Sequence, residues 1–503
     1  MSLTQVYTEN RDDRTASTRS ISLRSRSPHP PLNAQPSRNS FDKGGEIELA
    51  QLGVSEGVPP ASVEDASEGK TSPVDPVEPP KVSRWTGHIQ FLTLCGTLFL
   101  AGWNDGTTGP LLPRMQSNYH VGYTVVSLIF IFNCIGFVSA AAANVHLTDK
   151  FGFGKVGSIA QAIGYAIDSP APPFPAFVFA FALNGFGLAL QDAGANGYVA
   201  SLKDNAQTKM GVLHAAYGAG ALCAPLLATP LSHKQHWSYQ YLASLGLAIL
   251  NTILLIAVFR FRRQDECLRE IGQAQTHETA ANHEDNKYGQ IFRLREVHLL
   301  AFFILIYVGV EVTIGGWTVT YIVDERGGGS SAGYVSAGFF GGLMFGRVAL
   351  LWVNKKAAIH SANHWRTPCD LYLHHSCYSV SQTSSSLQKT LGLTTAFRLE
   401  IIIWLVPSLI GNALAVSFIG MLLGPVYPIA MNHAARILPH WLLTGSIGWI
   451  AGFGQAGSAF LPFMTGVIAS KEGIWALQPL MIAMMALMLI LWFLVPAHSR
   501  RVD

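Results

Sequence analysis

Apolar residues in this chain come in long unbroken runs rather than at a helical or strand period. The first covers about 88–112, and others follow at 122–146, 156–168, 175–202, 209–231 and 239–259. After a polar, charged stretch from about Arg260 to Arg295, the runs resume at 297–323, 332–353, 410–435, 443–469 and 476–496. About 20 apolar residues cross the hydrocarbon core of a bilayer as a helix, which satisfies its own backbone groups there. A ninth crossing is due between residues 353 and 410, but 357–390 is polar and non-periodic. Apolar character returns only near Leu391, in a segment that carries Arg398 and Glu400. Leu391–Leu409 crossing as a short helix would complete twelve spans; a retained intron or a frameshift would leave the same pattern. The pattern predicts an all-α membrane protein.

The remaining stretches set the organisation. Residues 1–84 are rich in Ser, Pro, Arg and Glu and cannot bury enough surface to offset ordering entropy, so a disordered cytosolic tail is expected. Then come a six-helix bundle over 85–260, a central cytosolic loop over 261–295, a second bundle over 296–497 with 355–395 irregular, and a short tail over 498–503. Basic residues favour every second loop: Lys150, Lys155, Lys203, Lys209, Arg260, Arg262, Arg263, Arg293, Arg295, Arg347, Lys355, Lys356 and Arg436. The positive-inside rule puts these loops, and both termini, in the cytosol. No cleavable signal peptide is expected at the N-terminus, so the first span would act as its own insertion signal.

Composition agrees with this. Only 13% of the residues are charged, where a soluble domain carries about 25%. Mean hydropathy is +0.28 in spite of the polar tail. The six cysteines do not form a disulfide framework, and Cys369, His374, His375 and Cys377 fit no standard zinc spacing. No nucleophile–base pair, metal cluster or nucleotide loop stands out, so no enzyme chemistry, cofactor, metal or nucleic-acid partner is expected.

The candidate chemistry lies inside the runs. Asn104 and Asp105 sit well within the first, Asp192 near the middle of the fourth and Glu311 in the seventh. A charged side chain at that depth costs about 3 kcal/mol or more, so it normally faces a bundle interior or a wet cavity. Three such carboxylates on three spans mark a site. A proton-coupled carrier needs one carboxylate that changes between neutral and charged; Asp192 is the leading candidate, with Asp105 and Glu311 next. A sugar needs amides and aromatic faces, which Asn104, Asn133, Gln191 and Asn196 and then Trp103, Tyr217, Tyr307 and Trp317 can supply. Each ring also reads as helix packing. His214, near the start of the fifth span, reads as structural. The halves echo each other weakly: GALCAP (Gly220–Pro225) matches GSAFLP (Gly457–Pro462) at equal spacing.

The second span ends in NVHLTDKFGFGK (Asn144–Lys155), which resembles the loop signature of the major facilitator superfamily, with Asn144 in place of its first glycine. GGLMFGR (Gly341–Arg347) is the counterpart in the second half. The resemblance implies the major facilitator fold, two six-helix bundles around a central cavity. It also implies a cytosolic latch, formed in one conformation and broken in the other, from Asp149, Lys150, Lys155 and Arg347.

Within that superfamily the chain is similar to the fucose-permease-like branch of sugar–proton symporters. Three places carry the similarity: Asn104-Asp105 with Leu111-Leu112-Pro113, GLALQDAGANGYV (Gly187–Val199), and YVGVEVTIGGWTVTY (Tyr307–Tyr321), where Glu311 replaces a Gln. It also resembles fungal orphan transporters of the bypass-of-stop-codon type. The resemblance implies alternating access with symport of a hexose-like sugar and a proton, Asp192 as the proton site and Asp105 as a solute-binding and coupling group. Asn104, Gln191, Asn196, Tyr217, Tyr307, Glu311 and Trp317 would contact the solute. The alternatives are a sodium-coupled or exchange carrier of another metabolite, or a non-transporting nutrient sensor. The expected partners are the solute, the coupling ion and the bilayer, for a monomer in the plasma or vacuolar membrane.

Overall fold

A computed structural model describes residues 84–151, 154–260, 262–273, 287–364, 391–438 and 442–496. The expected disordered tail and the polar stretch over 365–390 lie outside the described residues. All regular structure among the described residues is helical.

The first group of helices comprises α1 (Arg84–Tyr119), α2 (Tyr123–Val126), α3 (Leu128–Phe151), α4 (Lys155–Asp168), α5 (Phe174–Ala200), α6 (Ala206–Ser232) and α7 (Tyr239–Phe259). Two short helices follow, α8 (Gln264–Glu270) and α9 (Lys287–Arg293). The second group comprises α10 (Arg295–Arg326), α11 (Tyr334–His364), α12 (391–405), α13 (Leu409–Leu423), α14 (Val426–Ile437), α15 (Leu443–Glu472) and α16 (Leu477–Leu494). Seven candidate membrane spans meet length and apolarity limits among the described residues. α1 runs on through Pro110 and Pro113, and α6 through Pro225 and Pro230. Membrane helices tolerate such residues because neighbouring helices satisfy the freed backbone groups.

The segment from Leu391 does form a helix and is packed into the protein. Leu393, Ala396 and Ile403 of α12 are buried. Arg326, at the end of α10, donates from Nη2 to the carbonyls of Ile403 and Trp404 at 3.1 and 3.3 Å. Those carbonyls close α12 and have no partner within their own helix.

Helix pairing in the first group repeats in the second. α1 packs on α6 as α10 packs on α15, and α3 packs on α5 as α11 packs on α13. The echoing glycines make both close pairs. A Cβ at Gly220 would strike the Phe99 carbonyl, and one at Gly457 the Leu305 carbonyl, so the backbones touch at both places. The groups meet through α1 with α10, α6 with α11, and α15 with α2 and α3.

Contacts between the groups are dense at the end where α1, α6, α10 and α15 finish. Gly109 lies against the Gly315 carbonyl, Gly333 against Thr229 and Gly466 against Ser127. Tyr123 donates to Asp324 at 2.9 Å, and the Thr124 hydroxyl to Ser470 at 2.9 Å. At the opposite end α8 folds onto the first group. Cys267 and Leu268 are buried, Gln264 donates to the Ser201 hydroxyl at 3.2 Å, and Gln90 reaches Glu270 at 3.5 Å. Burial pushes the Cys267 thiol up to about 11.

Candidate functional site

Close helix approach brings the polar groups together. A Cβ at Gly102 would strike the Tyr217 carbonyl and one at Gly106 the Ala221 carbonyl, so α1 lies directly on α6. Tyr217 therefore reaches across and donates its hydroxyl to Asp105 Oδ2 at 2.6 Å. Asn104 donates to the other carboxylate oxygen at 3.2 Å. On the far side, Gly218 lies against Met344 of α11. This contact sets the Tyr217 ring 5.4 Å from the guanidinium carbon of Arg347, within cation–π range. Arg347 Nη2 is 3.4 Å from Glu311 Oε1 on α10, and its Nε donates to the Gly424 carbonyl at 3.4 Å.

A continuous bridge thus runs from Asp105 through Tyr217 and Arg347 to Glu311, crossing from the first group to the second. Asp192 joins the same neighbourhood from α5. Its carboxylate accepts from Asn196, four residues on, at 2.9 Å, which is the spacing that puts two side chains on one helix face. Asp105 lies within electrostatic range of both Glu311 and Asp192. Tyr427 of α14 lies within range of Asp192, Glu311 and Arg347, and its ring is 6.4 Å from that of His214.

Of the other expected contact residues, Gln191 and Trp317 lie elsewhere. Gln191 turns into the first group, donating to Gln161 at 2.8 Å and accepting from Asn251 at 2.7 Å. It belongs to a buried network in which Thr97 donates to Asn251, Gln161 to Tyr165, and Tyr165 to Asn104 Oδ1 at 3.0 Å. The network fixes the Asn104 amide, which in turn orients Asp105. Trp103 is held there too, its indole donating to Ser244 at 2.9 Å. Tyr307, by contrast, stays with the central pair: it is fully buried, donates to the Leu423 carbonyl at 3.1 Å, lies within electrostatic range of Glu311 and Arg347, and its ring is 6.4 Å from that of Tyr427. Trp317 is fully buried as well, donating to the Pro462 carbonyl at 2.9 Å and packing on Tyr123 near the closed end.

Of the expected latch residues, Arg347 lies apart from the loop after α3. The Asp149 side chain lies outside the described residues. Lys150 is exposed, whereas Lys155 is largely buried and follows Gly154, whose φ of 76° turns the chain from α3 into α4. Arg347 is not at a loop: it is 8% exposed, with its charge set against Glu311. Sequence reasoning missed this pairing, as it missed Tyr427, Tyr165 and Gln161. Their signal, polar residues inside apolar runs, was present but shared with many packing residues. Among the described residues no group of His, Cys, Asp or Glu could hold a metal ion.

A family model described as Major Facilitator Superfamily matches residues 94–363. The chain is 26% identical over 425 residues to Bypass of stop codon protein 6 of Saccharomyces cerevisiae, covering 80% of this chain and 81% of that one. It is 26% identical over 249 residues to a glucose/galactose transporter of Brucella abortus, covering 47% of this chain and 60% of that one. Among solved structures, a D-xylose–proton symporter superposes with a TM-score of 0.62 at 13% identity, covering 83% of this chain and all of that one. The Escherichia coli fucose:proton symporter superposes with a TM-score of 0.52 at 16% identity, covering 81% and 98%.

Proposed function

This chain belongs to the major facilitator superfamily, and from that premise we propose that it carries a hexose-like sugar across the bilayer together with a proton. It is an integral multi-pass membrane protein and a transporter rather than an enzyme. The observation that carries the finer reading is that Asp105 lies within electrostatic range of both Asp192 and Glu311, the last paired with Arg347, where the two helix groups meet. Arg347 answers Glu311, while Asp105 and Asp192 are neighbouring carboxylates with no such pair among the described residues, an imbalance that a bound proton offsets. Asp105 and Asn104 offer acceptors and a donor to sugar hydroxyls, with Tyr217 beside Asp105 and Asn196 beside Asp192. The similarity to a glucose/galactose transporter supports a sugar as the solute.

The domain reading is a six-helix bundle over 85–260, a central loop over 261–295 and a second bundle over 296–497. The chain acts as a monomer in the plasma or vacuolar membrane, with both termini cytosolic. The close contacts at Gly109, Gly333 and Gly466 then lie on the external side, which one state of alternating access must hold closed. The latch reading of Asp149, Lys150 and Lys155 stands beside this, while Arg347 serves the central site.

The test is uptake by the full chain in proteoliposomes. Labelled glucose, galactose, fucose and xylose are offered with an inward proton gradient, then with a sodium gradient, then with neither. At least one sugar should accumulate above its external concentration with the proton gradient alone, and a protonophore should abolish the accumulation. Accumulation only with sodium favours the sodium-coupled reading. Specific binding without transport favours a sensor.

A further inference from the structure

A second buried carboxylate stands apart from the interface. Asp168 ends α4 and is fully buried. Its Oδ2 accepts from Asn184 of α5 at 3.1 Å, while its Oδ1 has no hydrogen-bond partner. Asn184 is 1% exposed, and its own Oδ1 is also unpartnered, lying where a side chain at Gly164 would begin. Two tyrosine hydroxyls nearby, Tyr119 at the end of α1 and Tyr241 on α7, are buried atoms without partners. Both lie within electrostatic range of Asp168. Phe177 packs against both rings, at 5.4 and 5.6 Å, and fixes them. No Lys, Arg or His among the described residues pairs with Asp168.

We propose that Asp168, Asn184, Tyr119 and Tyr241 form a binding site for a monovalent cation, distinct from the interface carboxylates. All four unpartnered atoms are oxygens, the donor set of hard cations. A single carboxylate matches one positive charge, and a divalent ion would be left short of counter-charge. Asp168 has only Asn184 as a hydrogen-bond partner, so the neutral acid and the cation-bound carboxylate are the two forms that leave no buried charge without a partner. Tyr165, three residues before Asp168, feels both Asp168 and Asp105 and donates to Asn104. Cation occupancy therefore reaches the solute site through one side chain. This inference goes beyond the proposed function and holds whatever the solute.

The test uses the purified full chain in detergent, unfolded thermally in sodium, potassium or lithium chloride against equal N-methyl-D-glucamine chloride. One of the three small cations should raise the unfolding temperature saturably, because it binds only the folded state. Asp168→Asn should abolish the rise. Asn184→Ala and Tyr241→Phe should each move the titration midpoint up by about tenfold or more. Asp192→Asn should leave the midpoint unchanged, which separates this site from the coupling site. The proposal is overturned if no cation shifts the native protein, or if Asp168→Asn keeps the shift. Should Asp168→Asn fail to fold, unchanged midpoints in the other two variants overturn it.

Discussion

The Glu311–Arg347 pair gives a prediction whose size can be worked from the structure. The two groups are 3.4 Å apart, and their side chains are 10% and 8% exposed. Removing one member of a buried pair leaves the other uncompensated and costs about 3–5 kcal/mol. The separation is long for a charge-assisted hydrogen bond, and Arg347 keeps the Tyr217 ring and the Gly424 carbonyl, so the low end applies. Glu311→Gln should therefore cost about 3 kcal/mol. Arg347→Gln should cost more, since it leaves Glu311 within range of Asp105 with no cation between them. The double variant should cost little more than Arg347→Gln alone, with a coupling energy of about 2–3 kcal/mol. At about 2.1 cal/mol/K per residue, each kcal/mol lowers the unfolding temperature of the membrane part by about 1 °C. The assay is thermal unfolding of the four proteins in detergent, read as a double-mutant cycle. Additive losses, or a neutral Glu311→Gln, would refute the pair.

Tyr217→Phe removes the 2.6 Å hydrogen bond to Asp105, worth about 1.5–3 kcal/mol to a charged acceptor; solute affinity should fall about tenfold to a hundredfold in equilibrium binding, and unchanged affinity sinks the positioning role. Gly109→Leu places a side chain where the Gly315 carbonyl lies and should hold that end apart. A cysteine placed at Gly333 should then label faster from outside; equal labelling would show that Gly109 does not control closure. Cys267 reacts only as a thiolate, and burial pushes its thiol up to about 11, so at pH 8 about one molecule in a thousand is reactive. Alkylation of Cys267 should be slow in the native protein and fast after unfolding in SDS; similar rates would mean α8 is not docked.

The helices were legible because the bilayer demands length and apolarity, and few other structures produce such runs. The segment from Leu391 was the exception. Its partner, Arg326, is remote in sequence, so only folding shows what covers the carbonyls of α12. The three carboxylates were legible for the same energetic reason, since each is expensive unless served by neighbours. Their partners were not. Arg347 lies in a sequence that resembles a loop signature, and only the approach of α11 to α10 and α6 reveals the side chain it serves. Gln191 and Asp192 are adjacent in sequence, yet about 100° of helical rotation sends one into the bundle and leaves the other beside Asn196. Asp168 is the last residue of the third apolar run, and nothing local marks the tyrosines of α1 and α7 that lie within its electrostatic range.

Uphill uptake against equilibrium exchange, measured for Asp192→Asn in proteoliposomes, tests the coupling claim most directly. The amide keeps the shape of the protonated acid but cannot release the proton. Sugar exchange across the bilayer should continue near the native rate, while accumulation driven by a proton gradient should vanish. If the variant still concentrates sugar with the proton gradient alone, Asp192 does not carry the coupling proton.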